Sequence, residues 1–254
     1  MDTGFHILLA LAPGETFAPA PGVIPAYAAY YLGSGPHLYR TAGVPRGGYL
    51  LADDRALDVR GEGAAVAREI VRECSSRGFR GVILRLCARP GRLAGQIVGE
   101  LAPLLSQRGL PLLVPEEYAR YAPSARVLVS SAVTAGSLRR RLQDACAAYG
   151  RERVVLAAEV LAVDLTVSAP AGQGTDLTAR ELEHLRTRYA PAVFFSDALC
   201  ARYFTYLSRK SGAHYVLFDD ADTLRQKLRT ARTLGVDTAV LNWSEAAPFW
   251  DALR

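Results

Sequence analysis

The sequence predicts an α/β protein in a single domain, with a mostly parallel sheet covered by helices. Three observations predict it. From about residue 60, stretches with helical apolar periodicity alternate with short apolar runs, the pattern of repeated strand–helix units. Those runs carry apolar residues on both faces, as expected of strands covered on both sides. The chain has 254 residues, half of them hydrophobic, enough to bury one substantial core.

Taken in order, Phe5 to Leu11 reads as the first strand. The stretch between Pro13 and Pro45 holds Pro19, Pro21, Pro25 and Pro36 and a cluster of Tyr27, Tyr30 and Tyr31; a helix and a short strand are expected there. Tyr49 to Ala52 is a strand. Val66, Ile70, Val71 and Cys74 fall on one helical face, Gly78 stops that helix, and Val82 to Leu86 follow as a strand. Leu93, Ile97, Leu101, Leu104 and Leu105 make the next face, which Gly109 ends before the strand Leu110 to Val114. Arg126 to Val129 is a strand. Ser137 caps a helix with the face Leu138, Leu142 and Cys146; Gly150 stops it before Val154 to Ala158. Thr178 and Glu181 form a capping box that opens a helix running to Tyr189. Val193 to Phe218 is rich in aromatic residues and reads as strands, with a hairpin around Lys210 to Gly212. Leu224, Leu228, Ala231 and Leu234 form the last helical face, Asp220 and Asp222 supply caps, Gly235 stops the helix, and Thr238 to Leu241 form the final strand.

Composition narrows the function classes. Charged residues are 22% of the chain and the formal charge is +5, carried almost wholly by arginine, since only Lys210 and Lys227 are lysines. The arginines are dispersed without a basic block, so nucleic acid is not an expected partner. Apolar runs fall short of the roughly 18 residues that a membrane span needs. No signal peptide is recognised, so a cytoplasmic location is expected. Cys74, Cys87, Cys146 and Cys200 lack paired ligand spacing, so neither a metal nor a cofactor is expected. Phosphate-cradling glycine motifs are absent too.

One stretch carries a specific resemblance. Gly78-Phe-Arg-Gly-Val-Ile-Leu-Arg-Leu-Cys-Ala-Arg-Pro90 resembles the fourth strand of chitinase-like family 18 glycoside hydrolases, whose pattern is Asp-Gly-x-Asp-x-Asp-x-Glu. Gly81 matches, but the four acidic positions hold Arg80, Ile83, Arg85 and Cys87. Arg153 to Asp164 resembles the family's seventh strand and following turn. Tyr203 to Tyr206 and His214 to Asp222 resemble its late hairpin and the Asp-initiated helix after it. Leu224 to Trp243 resembles its last helix and eighth strand. These pieces run from about residue 60 to 245 in the family's order, and are most similar to its short cell-wall and spore-associated bacterial branch. Two departures accompany them: the family's Met-x-Tyr on strand six is Val129-Ser130-Ser131 here, and the N-terminal part is short for a full set of strands and loops. The resemblance implies a (β/α)8 TIM-type barrel with a late β-hairpin insertion, an amino-sugar glycan such as peptidoglycan or chitin as partner, and a setting at the spore or cell envelope.

In the family, the residue at position 87 protonates the leaving oxygen and that at 85 orients the substrate's acetamido group. Neither cysteine nor arginine can do this, so the resemblance implies a non-catalytic barrel. A thiol nucleophile at Cys87 would need a base nearby, and His6 is the nearest histidine by position along the strands. An active glycosidase with relocated carboxylates would use Glu116 or Glu117 with Glu159, and a structural protein with a vestigial cleft is the third reading. Strand ends in a βα barrel carry the site, which makes Asp53, Arg85, Glu116, Glu159, Asn242 and Trp243 the ligand-binding candidates. Each has a plainer reading: a capped turn or ion pair at Asp53, a helix N-terminus at Glu116 and Glu117, an Arg85–Glu159 pair, and core packing of Trp243.

Overall fold

The structure, a computed structural model, describes residues 5–35, 37–41, 43–57, 61–87, 89–166 and 174–253. In chain order it contains strands β1 (His6–Leu11), β2 (Val23–Gly33), β3 (His37–Arg40) and β4 (Tyr49–Asp53), helix α1 (Gly63–Arg77), β5 (Val82–Arg85), α2 (Arg92–Ser106), β6 (Leu112–Pro115), β7 (Arg126–Ser130), α3 (Leu138–Tyr149), β8 (Val154–Ala157), β9 (Ala162–Thr166) and β10 (Gly174–Asp176). Then come α4 (Ala179–Tyr189), β11 (Phe194–Ser196), β12 (Ala201–Ser208), β13 (Gly212–Phe218), α5 (Ala221–Thr233), β14 (Thr238–Asn242) and the short helices α6 (Trp243–Ala246) and α7 (Trp250–Leu253). Two compact units assemble from these: Met1–Val129 with Ala145–Ala157 and Val236–Ser244, and Ser130–Asp144 with Ala158–Gly235 and Glu245–Arg254.

The first unit is built around a closed barrel of eight parallel strands in the order β1-β14-β8-β7-β6-β5-β4-β2, with β2 returning to pair with β1. The (β/α)8 TIM-type barrel implied by the sequence is therefore present, and β5 is its fourth strand. Strand parity sorts the side chains into two cores. Leu8, Ala10, Ala26, Leu51, Ile83, Leu113 and Val155 fill the interior. The alternate residues, among them Leu50, Ala52, Val82, Leu84, Leu112 and Val114, face outward and pack with Val66, Ile70 and Cys74 of α1 and Ile97, Leu101 and Leu105 of α2. At the N-terminal end of β5, Gly81 is required by space: a Cβ there would collide with the Tyr49 ring and sit 2.8 Å from the Pro111 carbonyl oxygen.

The region after Pro13 differs from expectation. It holds no helix among its described residues; instead Val23–Gly33 forms one long strand and His37–Arg40 returns antiparallel beside it. Pro25 within a β-branched and aromatic run masks the strand, because proline usually ends one. Here it sits near the strand's start, in register with Leu9 of β1. This economy explains how a short N-terminal part still delivers its barrel strands: β1 connects to β2 without a helix. Tyr30 of β2 donates to Glu73 of α1 at 2.8 Å, and Glu73 also accepts from Arg40 at 2.7 Å and pairs with Arg77 at 2.8 Å. Burial pushes the Glu73 carboxyl up, and these donors outweigh it and hold it below its ordinary value.

The second unit carries an antiparallel five-stranded sheet in the order β10-β9-β13-β12-β11. The expected late hairpin is its centre, β12 paired with β13 from Arg202↔Phe218 to Ser208↔Gly212. Phe204, Val216 and Phe218 form its small core, packed by Leu182 and Leu185 of α4. The expected capping box of Thr178 with Glu181 opens α4, and Asp220, expected as a cap, caps α5 in a second box with Thr223. Asp222 does not cap; it sits in the first turn of α5 and pairs with Arg202 and Arg225. Beneath α5, Lys227 and Asp219 form an ion pair with both side chains 0% exposed. Asp219 also accepts from the Leu161 N–H at 2.7 Å and the Thr223 hydroxyl at 2.8 Å, and Lys227 donates to the Glu159 carbonyl at 3.3 Å.

Candidate functional site

The C-terminal ends of the barrel strands bring three of the sequence-predicted residues together. Leu51 and Ile83 face the interior, so Asp53 and Arg85, two residues further along β4 and β5, share that face, and they are paired in register. Asn242 stands in the same relation to Val240 on β14, which packs against the interior core. Arg85 Nη1 donates to Asn242 Oδ1 at 3.4 Å, and Arg85 Nη2 lies 4.0 Å from Asp53 Oδ2. The carboxylate beside Arg85 is thus that of Asp53. Arg55 supplies the remaining clamp: its Nε donates to Asp53 Oδ1 at 2.7 Å, and its Nη2 to Asp53 Oδ2. Burial pushes the Asp53 carboxyl up, but the Arg55 hydrogen bonds and the Arg85 charge outweigh it and leave Asp53 below the usual aspartate range. Asp53 is buried, whereas the Arg85 and Arg55 side chains are 47% and 69% exposed, so two solvent-exposed guanidinium groups share one ionised carboxylate.

Cys87 follows the end of β5. Its N–H donates to both Asp54 carboxylate oxygens, at 3.0 and 3.2 Å, and its thiol donates to the Arg89 carbonyl at 3.3 Å. These bonds tie the β5 loop to the β4 loop. His6 lies at the opposite end of the barrel: it opens β1, in register with Thr238 at the start of β14, so it is no base for Cys87. Sequence reading missed Tyr118, whose fully buried hydroxyl lacks a hydrogen bond of good geometry. Burial above all, with Cys87 and the Asp54 carboxylate nearby, pushes that hydroxyl well above the phenol range. Its only sequence signal is its place three residues after Pro115.

The acidic candidates lie as follows. Glu116 and Glu117 occupy the first turn of a 3-10 helix, Glu116–Tyr121, directly after β6. Glu116 is half-buried and accepts from the Tyr149 hydroxyl at 3.4 Å, while Glu117 is exposed. Glu159 belongs to the second unit, where the Ser130 hydroxyl donates to its Oε2 at 2.5 Å and its N–H donates to Ser131 Oγ at 3.1 Å. Trp243 starts α6 immediately after Asn242; its indole is partly exposed and lies 6.4 Å from the Phe17 ring, centroid to centroid. Among the described residues, no group of three or more His, Cys, Asp or Glu is placed to hold a metal ion.

The closed parallel barrel is a (β/α)8 TIM-type fold, and its structural neighbours are chitinase-like proteins of glycoside hydrolase family 18. A family 18 N-acetylglucosaminidase from Paenibacillus barengoltzii superposes with a TM-score of 0.66 at 12% identity, over 98% of both chains. A chitinase from Chromobacterium violaceum gives 0.63 at 14% identity over 97% of both, and the spore cortex-lytic enzyme SleL of Bacillus megaterium gives 0.60 at 12%, over 93% of this chain and 70% of that one. No family model matches the sequence, and no curated protein matches it either. The likeness lies in the fold. No described helix is long and apolar enough to cross a membrane.

Proposed function

We propose that this protein is a non-catalytic chitinase-like barrel that binds an amino-sugar glycan of the peptidoglycan or chitin type. The observation that carries this reading is the state of the barrel mouth. Cleavage with help from the substrate's acetamido group needs a proton donor at position 87 and an orienting carboxylate at position 85, and these positions hold cysteine and arginine. The carboxylate that does face the mouth, Asp53, is held ionised by Arg55 and Arg85, and a general acid needs the opposite shift. What remains suits binding: Arg85, Arg55 and Asn242 present donors, and Trp243, next to Asn242 in the chain, has a partly exposed indole. The fold shared with chitinases, an N-acetylglucosaminidase and a spore cortex-lytic enzyme supports an amino sugar as the ligand and the spore or cell envelope as the setting.

Calorimetric titration of the full chain with N-acetylglucosamine oligomers and soluble peptidoglycan fragments tests the proposal, alongside an assay for new reducing ends. Binding without turnover, weakened by Arg85→Ala, is the expected result. Protein-dependent release of reducing ends that disappears in Glu116→Gln or Glu159→Gln would overturn it in favour of relocated carboxylates.

A further inference from the structure

The hairpin of the second unit holds a hydrogen-bonded chain that the barrel mouth does not use. Ser211 Oγ lies 2.7 Å from His214 Nε2, and His214 Nδ1 lies 2.8 Å from Asp164 Oδ1. An ionised carboxylate only accepts, so the Nδ1 contact requires the proton on Nδ1. In that tautomer Nε2 presents its lone pair to the Ser211 hydroxyl, whose proton is shared between His214 Nε2 and Ser208 Oγ at 2.9 Å. Asp164 is held at its second oxygen by the Tyr206 hydroxyl at 2.5 Å. The Tyr206 ring stacks on the imidazole at 4.5 Å and 18°, and Tyr189 stacks on the far side of Tyr206 at 4.4 Å. The His214 and Asp164 side chains are only 11% and 14% exposed, whereas Ser211 is exposed at the hairpin tip. Register brings the remote Asp164 to the hairpin: Tyr206 is paired with His214, Val216 with Asp164, and Thr166 with His214.

We propose that Ser211, His214 and Asp164 form a nucleophilic serine site that cleaves small carboxylic esters by acyl transfer. Ser211 Oγ bonds to the ester carbonyl carbon while its proton passes to His214 Nε2. The carbon–oxygen bond to the alcohol then breaks, and the alcohol leaves with the proton from Nε2. Water attacks the acyl-serine, giving a proton to Nε2; Ser211 takes that proton back as the carboxylic acid departs. Asp164 is a positioning residue that fixes the tautomer and steadies the imidazolium. The Lys210 and Ser211 N–H groups converge on Ser208 Oγ at 3.3 Å each, and these donors serve the oxyanion once the ester oxygen displaces that hydroxyl. An open hairpin tip suits a small acyl group such as an O-acetyl ester.

The test uses the full chain with a fluorophosphonate probe, which labels activated serines, and with p-nitrophenyl acetate. The expected result is a mass adduct on the peptide containing Ser211, with labelling and ester cleavage both reduced at least about tenfold in Ser211→Ala and in His214→Gln. Ser211→Ala removes an exposed hydroxyl and should melt with the wild type, which separates lost chemistry from lost folding. Asp164→Asn should slow labelling similarly while the imidazole 15N resonances report a proton moved to Nε2, a signature that mere scaffolding would not give. Absence of an adduct at Ser211, or an adduct formed equally fast in His214→Gln, would overturn the proposal. None of these outcomes depends on glycan binding at the barrel mouth.

Discussion

Replacing Lys227 with methionine isolates what its buried ion pair contributes. Methionine keeps most of the aliphatic stem, so little cavity forms, and the change removes the ammonium from a site where both partners are 0% exposed. Asp219 is then left buried without its countercharge, a loss of roughly 3 to 5 kcal/mol. The lower end applies here, because Asp219 keeps the Leu161 N–H and the Thr223 hydroxyl as donors. A loss of about 3 kcal/mol corresponds to a melting temperature lower by roughly 6 to 12 °C for a chain of this size. Urea unfolding of Lys227→Met and of the double variant Lys227→Met/Asp219→Asn measures it. The double variant should recover part of the loss, since no uncompensated charge remains. Arg225→Ala, which breaks the exposed pair with Asp222, should barely move the midpoint. If Lys227→Met were no more destabilising than Arg225→Ala, the buried pair would not be a strut of this unit.

Trp243→Ala should weaken or abolish binding of N-acetylglucosamine oligomers while the melting temperature stays close to wild type, because the indole is partly exposed; a large thermal loss with no sugar binding by the wild type would point to a core role instead. Stability should fall as pH drops below about 4: Asp53, Glu73 and Asp237 are held below their ordinary values in the fold, so their contribution is complete above the unfolded-state carboxylate range and is lost as pH falls through the lowered folded-state values. Glu73→Gln should flatten that acid limb, as measured by denaturant midpoints across pH. Gly81→Ala should destabilise by about 1 to 3 kcal/mol, because the added methyl would collide with the Tyr49 ring and with the carbonyl and ring of Pro111; an unchanged midpoint would refute the close approach.

The barrel strands from β4 to β8, and β14, were legible because each is an apolar run set between helix stops: Gly78, Gly109, Gly150 and Gly235 all adopt positive φ after or between the expected elements. β2 was hidden by Pro25, and the missing helix before it by the habit of alternation. β9 and β10 were hidden for another reason. Ala162 to Thr166 follows β8 after four residues and reads as a continuation of one apolar stretch. At the mouth, Arg85 and Asp53 followed from their places at the ends of expected strands, whereas the choice of Asp53 as the partner of Arg85 depends on the register of adjacent strands, which no local pattern encodes. The Arg55 clamp lies within a tripeptide and was foreseeable as the plain ion-pair reading. Tyr118 was not foreseeable, because a tyrosine in a turn carries no periodic signal.

Barrel closure has a consequence for biogenesis. β1 has two neighbours: β2, which follows it closely in the chain, and β14, where Ala10 meets Asn242 across nearly the whole sequence. A ribosome delivers β2 within moments of β1, but β14 only after every other barrel strand. Until then the nascent sheet is an open ribbon with unpaired backbone on β1 and β8, the kind of edge that recruits other chains. The interval is lengthened by the second unit, whose stretch Ala158–Gly235 must be translated between β8 and β14. That unit is antiparallel and locally connected, so it can fold while the ribbon waits. Efficient production of this protein should therefore depend on what shields those two edges during translation more than on the stability of the finished barrel.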